Sequence, residues 1–255
     1  MTRSKILSLL GAGLVIGICL GFISVHFSNQ LRNFNNPGNN ISSRDNNTKG
    51  KGLIGDLVNM EKDMNEDYKI DPRRLKYYYE EAHKVNPQVI GWIAITNTDI
   101  SYPVLHGYPD DYYLKHNWRG EPWWNGSVFL DYMNNGIQSI SLINGHNMLN
   151  GIMFAQLTKF QSESFFDAGQ TVYFYDGYDN KLNTYKPIGA EIVSPDVYLD
   201  LGNHTKQQRE DFVSEFRKGF IYKGIPYNGN NILLLNTCLS NGTDHHIIVM
   251  NEQMN

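Results

Sequence analysis

The chain has 255 residues, 41% of them hydrophobic, enough to bury one large core or two small ones. Its formal net charge of -4 comes from mixed charges spread along the sequence, so no basic stripe points to nucleic acid as a partner. It has only two cysteines, Cys19 and Cys238, and Cys19 lies within an apolar run, which excludes a disulfide framework and a zinc site built from several thiolates.

From Ile6 to Val25 no residue is charged, and Arg3 and Lys5 precede this stretch. Twenty apolar residues match the width of a bilayer, and the basic flank predicts an N-terminus inside and everything after His26 outside. Length and flanks favour an uncleaved anchor over a cleaved signal peptide, which would carry a shorter apolar region and an A-x-A-like site. The expected organisation is therefore a membrane anchor at 1–28 and a flexible Asn-, Gly- and Ser-rich tether at 29–52. A helical subdomain at 53–88 and a β-rich domain at 89–255 follow.

Within the helical part, Leu53 to Glu66 has helix-compatible spacing. Asp71-Pro72 then offers an N-cap followed by proline at the first helical position, predicting a helix from Pro72 to about Lys84. Beyond Asn86 the sequence breaks into short β-rich runs separated by Gly, Pro, Asn and Asp, the pattern of a barrel or sandwich. Eight strands are predicted: Ile90–Ile95, Ile100–Leu105, Ser127–Leu130, Ser139–Ile143, Thr171–Tyr175, Tyr185–Val193, Ile232–Thr237 and His246–Met250. One helix interrupts them: Thr205 and Gln208 form a capping box, and Phe212, Val213, Phe216 and Phe220 fall on one face.

Two residues carry the candidate chemistry. Cys238 ends the apolar run NILLLNTC, where a thiol at the end of a buried strand is held rigidly yet reachable; a lone cysteine is also often a small core hydrophobe. His146 lies in SLINGHNMLNG, where a strand gives way to a turn, and an imidazole there can move protons near neutral pH. Seven other histidines compete for that role, and spacing does not choose among them. Asp131 and Asp244 could orient a histidine or cap turns. Trp118, Trp123 and Trp124 could wall a groove, with loop packing the preferred reading.

The successive segments NPQVIGWIAITNTDISYPVL, DDYYLKHNWRGE, GSVFLDYMN, INGHNMLNGIMFAQL and LLLNTC resemble, in order and spacing, the motifs of class B sortases. The resemblance covers the chain from about Leu53 to its C-terminus, and the extended N-terminal helices and the helix near 205–220 favour class B. It implies an α+β protein that is mainly β with helices: an eight-stranded mixed barrel of the sortase type with an N-terminal helical subdomain. It further implies a membrane-anchored extracellular cysteine transpeptidase in which Cys238 attacks a peptide carbonyl in a C-terminal sorting signal, forming a thioester. His146 would protonate the departing amine and take the proton of an incoming cell-wall amine. The implied partners are secreted proteins bearing that signal and a peptidoglycan amine. No metal or organic cofactor is needed, and Asn147 and Thr237 are candidate substrate-binding residues.

One position departs from the family, which places an arginine on the final strand directly before an Ile/Val run. Here His246 stands at that position, and no Arg or Lys follows Cys238. A histidine offers fewer donors than a guanidinium and is mostly neutral above its pKa. Three readings stay open: His246 substitutes in a pH-dependent way, His245 or an arginine such as Arg119 fills the gap, or the protein is a poor enzyme. A cysteine hydrolase and a non-catalytic peptide-binding module are the corresponding functional alternatives. Adjacent strand residues point to opposite faces, so His245 and His246 cannot both face Cys238. Cys238, His146 and His246 would make a zinc site short of a fourth ligand.

Overall fold

The computed structural model describes residues 71–254, apart from 108, 110, 111 and 240–243. The predicted anchor, the tether and the first part of the helical subdomain lie outside the described residues, and among the described residues no helix is long and apolar enough to cross a membrane.

Among the described residues there are nine strands: β1 (Val89–Ile95), β2 (Ser101–Leu105), β3 (Val128–Leu130), β4 (Ile140–Asn144), β5 (Val172–Asp176), β6 (Lys181–Val193), β7 (Tyr222–Lys223), β8 (Ile232–Cys238) and β9 (His246–Met254). They hydrogen-bond in the order β5-β1-β2-β3-β4-β8-β9-β6-β7, and a further β5–β6 pairing closes eight of them into a ring, leaving β7 appended to β6. The barrel is mixed: β2–β3 and β4–β8 run parallel, the other neighbours antiparallel. The eight predicted strands are these eight, with shifted ends. The ninth, only two residues long, carries no periodicity that a sequence could display.

Closure explains the apolar run ahead of Cys238. On β8, Leu233 and Leu235 point into the barrel beside Ile143, Phe174 and Val249, whereas Ile232 and Leu234 point outward. There they meet Val213 and Phe216 of helix α3 (Lys206–Phe216) and Phe220 just beyond it. A strand covered on both faces reads as continuous Ile and Leu rather than as alternation. The capping box at Thr205 and Gln208 starts α3 as expected, and a short 3-10 turn, Arg217–Gly219, ends it.

Across the barrel, helix α1 (Leu75–Val85) follows a 3-10 turn capped by the Asp71 side chain and buries Leu75 and Ala82 against Trp92, Ala94 and Tyr175. Between β4 and β5 a 3-10 segment (Ala155–Gln161) and the short helix α2 (Glu163–Asp167) plug one end of the barrel with Leu157, Phe160 and Phe166.

Candidate active site

The period of two along a strand decides which residues share the site. Asn236 and Cys238 have the same parity as Ile232 and Leu234, so they continue the outward face of β8 past the part covered by α3. Cys238 lies directly opposite His246 on β9, and Asn144 directly beside Asn236 on β4. The barrel's outer face thus presents, at one end, a patch built from the tips of three adjacent strands.

Three hydrogen bonds carry the β4–β8 pairing onward into the turn that bears His146. The Gly145 amide donates to the Asn236 carbonyl (3.1 Å), the Thr237 hydroxyl to the Gly145 carbonyl (2.8 Å), and the Asn147 side-chain amide to the Cys238 carbonyl (2.8 Å). His146 is therefore held in the turn alongside Cys238. Thr237 is 1% exposed, with its hydroxyl spent on this clasp. The Thr237 hydroxyl and the Asn147 side-chain amide thus tie the His146 turn to the end of β8.

The sulfur is exposed at the strand end and lies 3.6 Å from Nε2 of His246. Nδ1 of His246 lies 3.1 Å from Oδ1 of Asn236. The Asn236 amide donates to Asn144 (2.8 Å), and the Asn144 amide donates to the Asp131 carboxylate (3.2 Å). Asp131 also caps its own turn by accepting the Met133 backbone N–H. His245, just ahead of β9, is exposed. Asp244 is exposed beside it, and the Arg119 guanidinium stacks over the Trp118 ring at 4.3 Å. Of the three indoles, Trp118 packs into the cluster under α1, whereas Trp123 and Trp124 are exposed, contrary to the packing expected of all three.

His146 is anchored differently, with Nε2 2.9 Å from the Leu114 carbonyl. A carbonyl only accepts, so Nε2 carries a proton whether the ring is neutral or charged, and the proton that comes and goes is the one on Nδ1. Gly126, at φ +61°, lets the chain pass flat against this ring: a Cβ there would sit 2.9 Å from the imidazole Cδ2.

Burial dominates the electrostatics. It pushes the Cys238 thiol up, with Asp244 adding to the effect, because the protein around the sulfur disfavours a thiolate even though the residue is open to solvent. It pushes His246 down, opposed by Asp244 and reinforced by His245, and His146 down, opposed by the Leu114 carbonyl. These directions favour a neutral thiol beside a neutral His246 and make a charged His146 a readier proton donor. Asp131 is raised by burial, with the Met133 and Asn144 hydrogen bonds pulling the other way.

A reachable thiol against an imidazole at a strand end, on a closed mixed eight-stranded barrel, defines a protein of the sortase fold. No family model matches the chain. Among curated proteins, Sortase B of Listeria monocytogenes is 32% identical over 165 residues, 62% of this chain and 65% of that protein. Sortase B of Staphylococcus aureus is 26% identical over 167 residues, 63% of this chain and 67% of that protein. The match thus spans just under two thirds of the Listeria relative. Among solved structures, Clostridium perfringens sortase B superposes with a TM-score of 0.62 at 29% identity, covering 69% of this chain and 99% of that one. A Staphylococcus aureus sortase B–substrate complex gives 0.64 at 19% identity, over 80% and 94%, a likeness of fold alone. The chain is similar in sequence and in fold to class B sortases.

Proposed function

We propose that this protein is a membrane-anchored cysteine transpeptidase that cuts a C-terminal sorting signal through a Cys238 thioester and passes the acyl group to a cell-wall amine. What supports this reading most is the pairing of an exposed Cys238 sulfur with His246 at 3.6 Å, in a patch that the His146 turn borders. Cys238 is the nucleophile. His146, working through Nδ1 while Leu114 holds Nε2, protonates the departing amine and later takes the proton of the incoming one. His246 stands where relatives keep an arginine and, when protonated, offers a donor to the oxyanion. The apolar N-terminal run and its basic flank support the anchor, with the catalytic domain outside the cell.

The missing arginine keeps a hydrolase or a non-catalytic binder in view, and product analysis separates them. The full-length chain in detergent is incubated with sorting peptides, with and without an added amine. Amine-dependent formation of a new peptide bond is the expected result. Hydrolysis that amine does not divert would replace the transpeptidase by a hydrolase, and no turnover of any peptide would leave a binding module.

A further inference from the structure

In His246 the chain has more than a substitute cation, because the side chains behind it form a directional series. Asp131 at its far end is a carboxylate that accepts at both oxygens, Oδ1 from the Met133 amide and Oδ2 from Asn144. The Asn144 side chain must therefore turn its NH2 to Asp131 and its oxygen to Asn236. That oxygen demands the NH2 of Asn236, which leaves the Asn236 oxygen facing Nδ1 of His246. An amide oxygen only accepts, so Nδ1 carries the proton, and Nε2 of the neutral ring presents a bare lone pair to the Cys238 sulfur.

We propose that Asp131, Asn144 and Asn236 are positioning residues that fix the tautomer of His246, making its Nε2 the base that takes the Cys238 thiol proton. The proposal rests on the transpeptidase reading above. In the acylation step the S–H bond breaks and its proton moves to Nε2. The sulfur electron pair forms the C–S bond, and the carbonyl π pair moves onto oxygen. The product is an oxyanion beside a newly made Nε2–H of an imidazolium, a donor created at the moment the charge appears. The proton returns to sulfur when the thioester breaks. His146 enters the exchange as the imidazolium: as the oxyanion pair re-forms the carbonyl and the C–N bond breaks, its Nδ1 proton goes to the departing amine, and the proton the incoming amine brings replaces it. Both balances close over one exchange.

The arrangement also explains why a histidine can stand at this position. An arginine is a permanent cation and cannot accept a proton, whereas a histidine held as the Nδ1–H tautomer is first a base and then a cation. Among the described residues, the groups facing His246 are Cys238 across the strand pair, Asn236 behind it, and Asp244 and His245 just ahead of its own strand. Of these only Asn236 meets Nδ1.

Nitrogen NMR of the full-length chain in detergent, with isotope-labelled histidines, reads the tautomer without reference to turnover. Comparison with a His246→Gln variant assigns the signal. The expected result is an Nδ1–H, Nε2-bare ring in the wild type. In Asn236→Ala and Asp131→Asn the ring should shift toward the Nε2–H form, while the His146 signals and the thermal melt stay close to wild type. In parallel, Asn236→Ala should slow peptide acylation about 10- to 100-fold, the usual effect of losing a partner that orients an imidazole, with KM little changed. An Nε2–H ring in the wild type, or a tautomer indifferent to Asn236, overturns the inference even if Cys238 acylates normally. The expected tautomer in a chain that no peptide acylates overturns instead the transpeptidase reading and, with it, the catalytic half of the inference.

Discussion

The imidazoles of His146 and His246 are held in opposite ways. His146 is anchored at Nε2 by a backbone carbonyl, so its orientation depends on the path of the loop through Leu114 and on the close pass at Gly126. His246 is anchored at Nδ1 by a series of three side chains that ends in a half-buried carboxylate. The first arrangement resists side-chain substitution and is vulnerable to backbone change; the second is the reverse. The nitrogens left free differ accordingly, Nδ1 of His146 and Nε2 of His246, and the proposed chemistry assigns the amine proton to the first and the thiol proton to the second.

The largest expected effect removes the group that both rings serve. Cys238→Ala should lose acylation to background while the barrel melts as before, because the side chain is exposed; residual acyl-enzyme in that variant would move the nucleophile elsewhere. Next, His246→Ala should slow acylation roughly 100- to 1000-fold, the usual cost of a lost oxyanion donor. His246→Arg should also fall below wild type, since it retains a cation and forfeits the base. A gain in the arginine variant would mean that His246 merely fills the arginine's place.

On the other side of the comparison, Gly126→Ala places a Cβ 2.9 Å from the His146 ring in a left-handed conformation, and displacement of the imidazole should cost about 100-fold in rate. Steady-state kinetics with a sorting peptide and an amine would measure it, and wild-type kinetics would show that the ring is not held by this contact. The smallest effect is a shift in a pH profile. Because burial raises the Cys238 thiol, thiolate appears at higher pH than in a free cysteine, and alkylation by iodoacetamide should climb with pH correspondingly late. Fast alkylation persisting into acid would instead reveal a resting thiolate–imidazolium pair.

The sequence made the barrel largely legible, because closure buries both faces of β8 and β1 and so produces apolar runs bounded by turns. It concealed what long-range pairing creates. β9 continues through Asn251 and Glu252, which look polar and terminal but are fully buried; the Glu252 carboxylate accepts the backbone amides of Asn228 and Asn230. The strand-final position of Cys238 and the turn around His146 marked both as candidates, and the resemblance to class B sortases selected them. Asn144 and Asn236 escaped notice because asparagine reads as turn punctuation. The signal that could have found Asn236 is its parity, two residues before Cys238 on the same face. Nothing local could reveal Asn144, whose place beside it depends on the register of a parallel pair 92 positions apart in the chain. Asp131 was a candidate to orient a histidine and reaches one only through those two amides.

The most direct test of the whole account is intact-mass analysis of the full-length chain rapidly quenched in acid after mixing with a sorting-peptide library. A thioester carrying the N-terminal part of a peptide, mapped to Cys238 and released by hydroxylamine, is the predicted outcome. Peptides that are cleaved without any acyl group on Cys238, or an acyl group on a different residue, would contradict it.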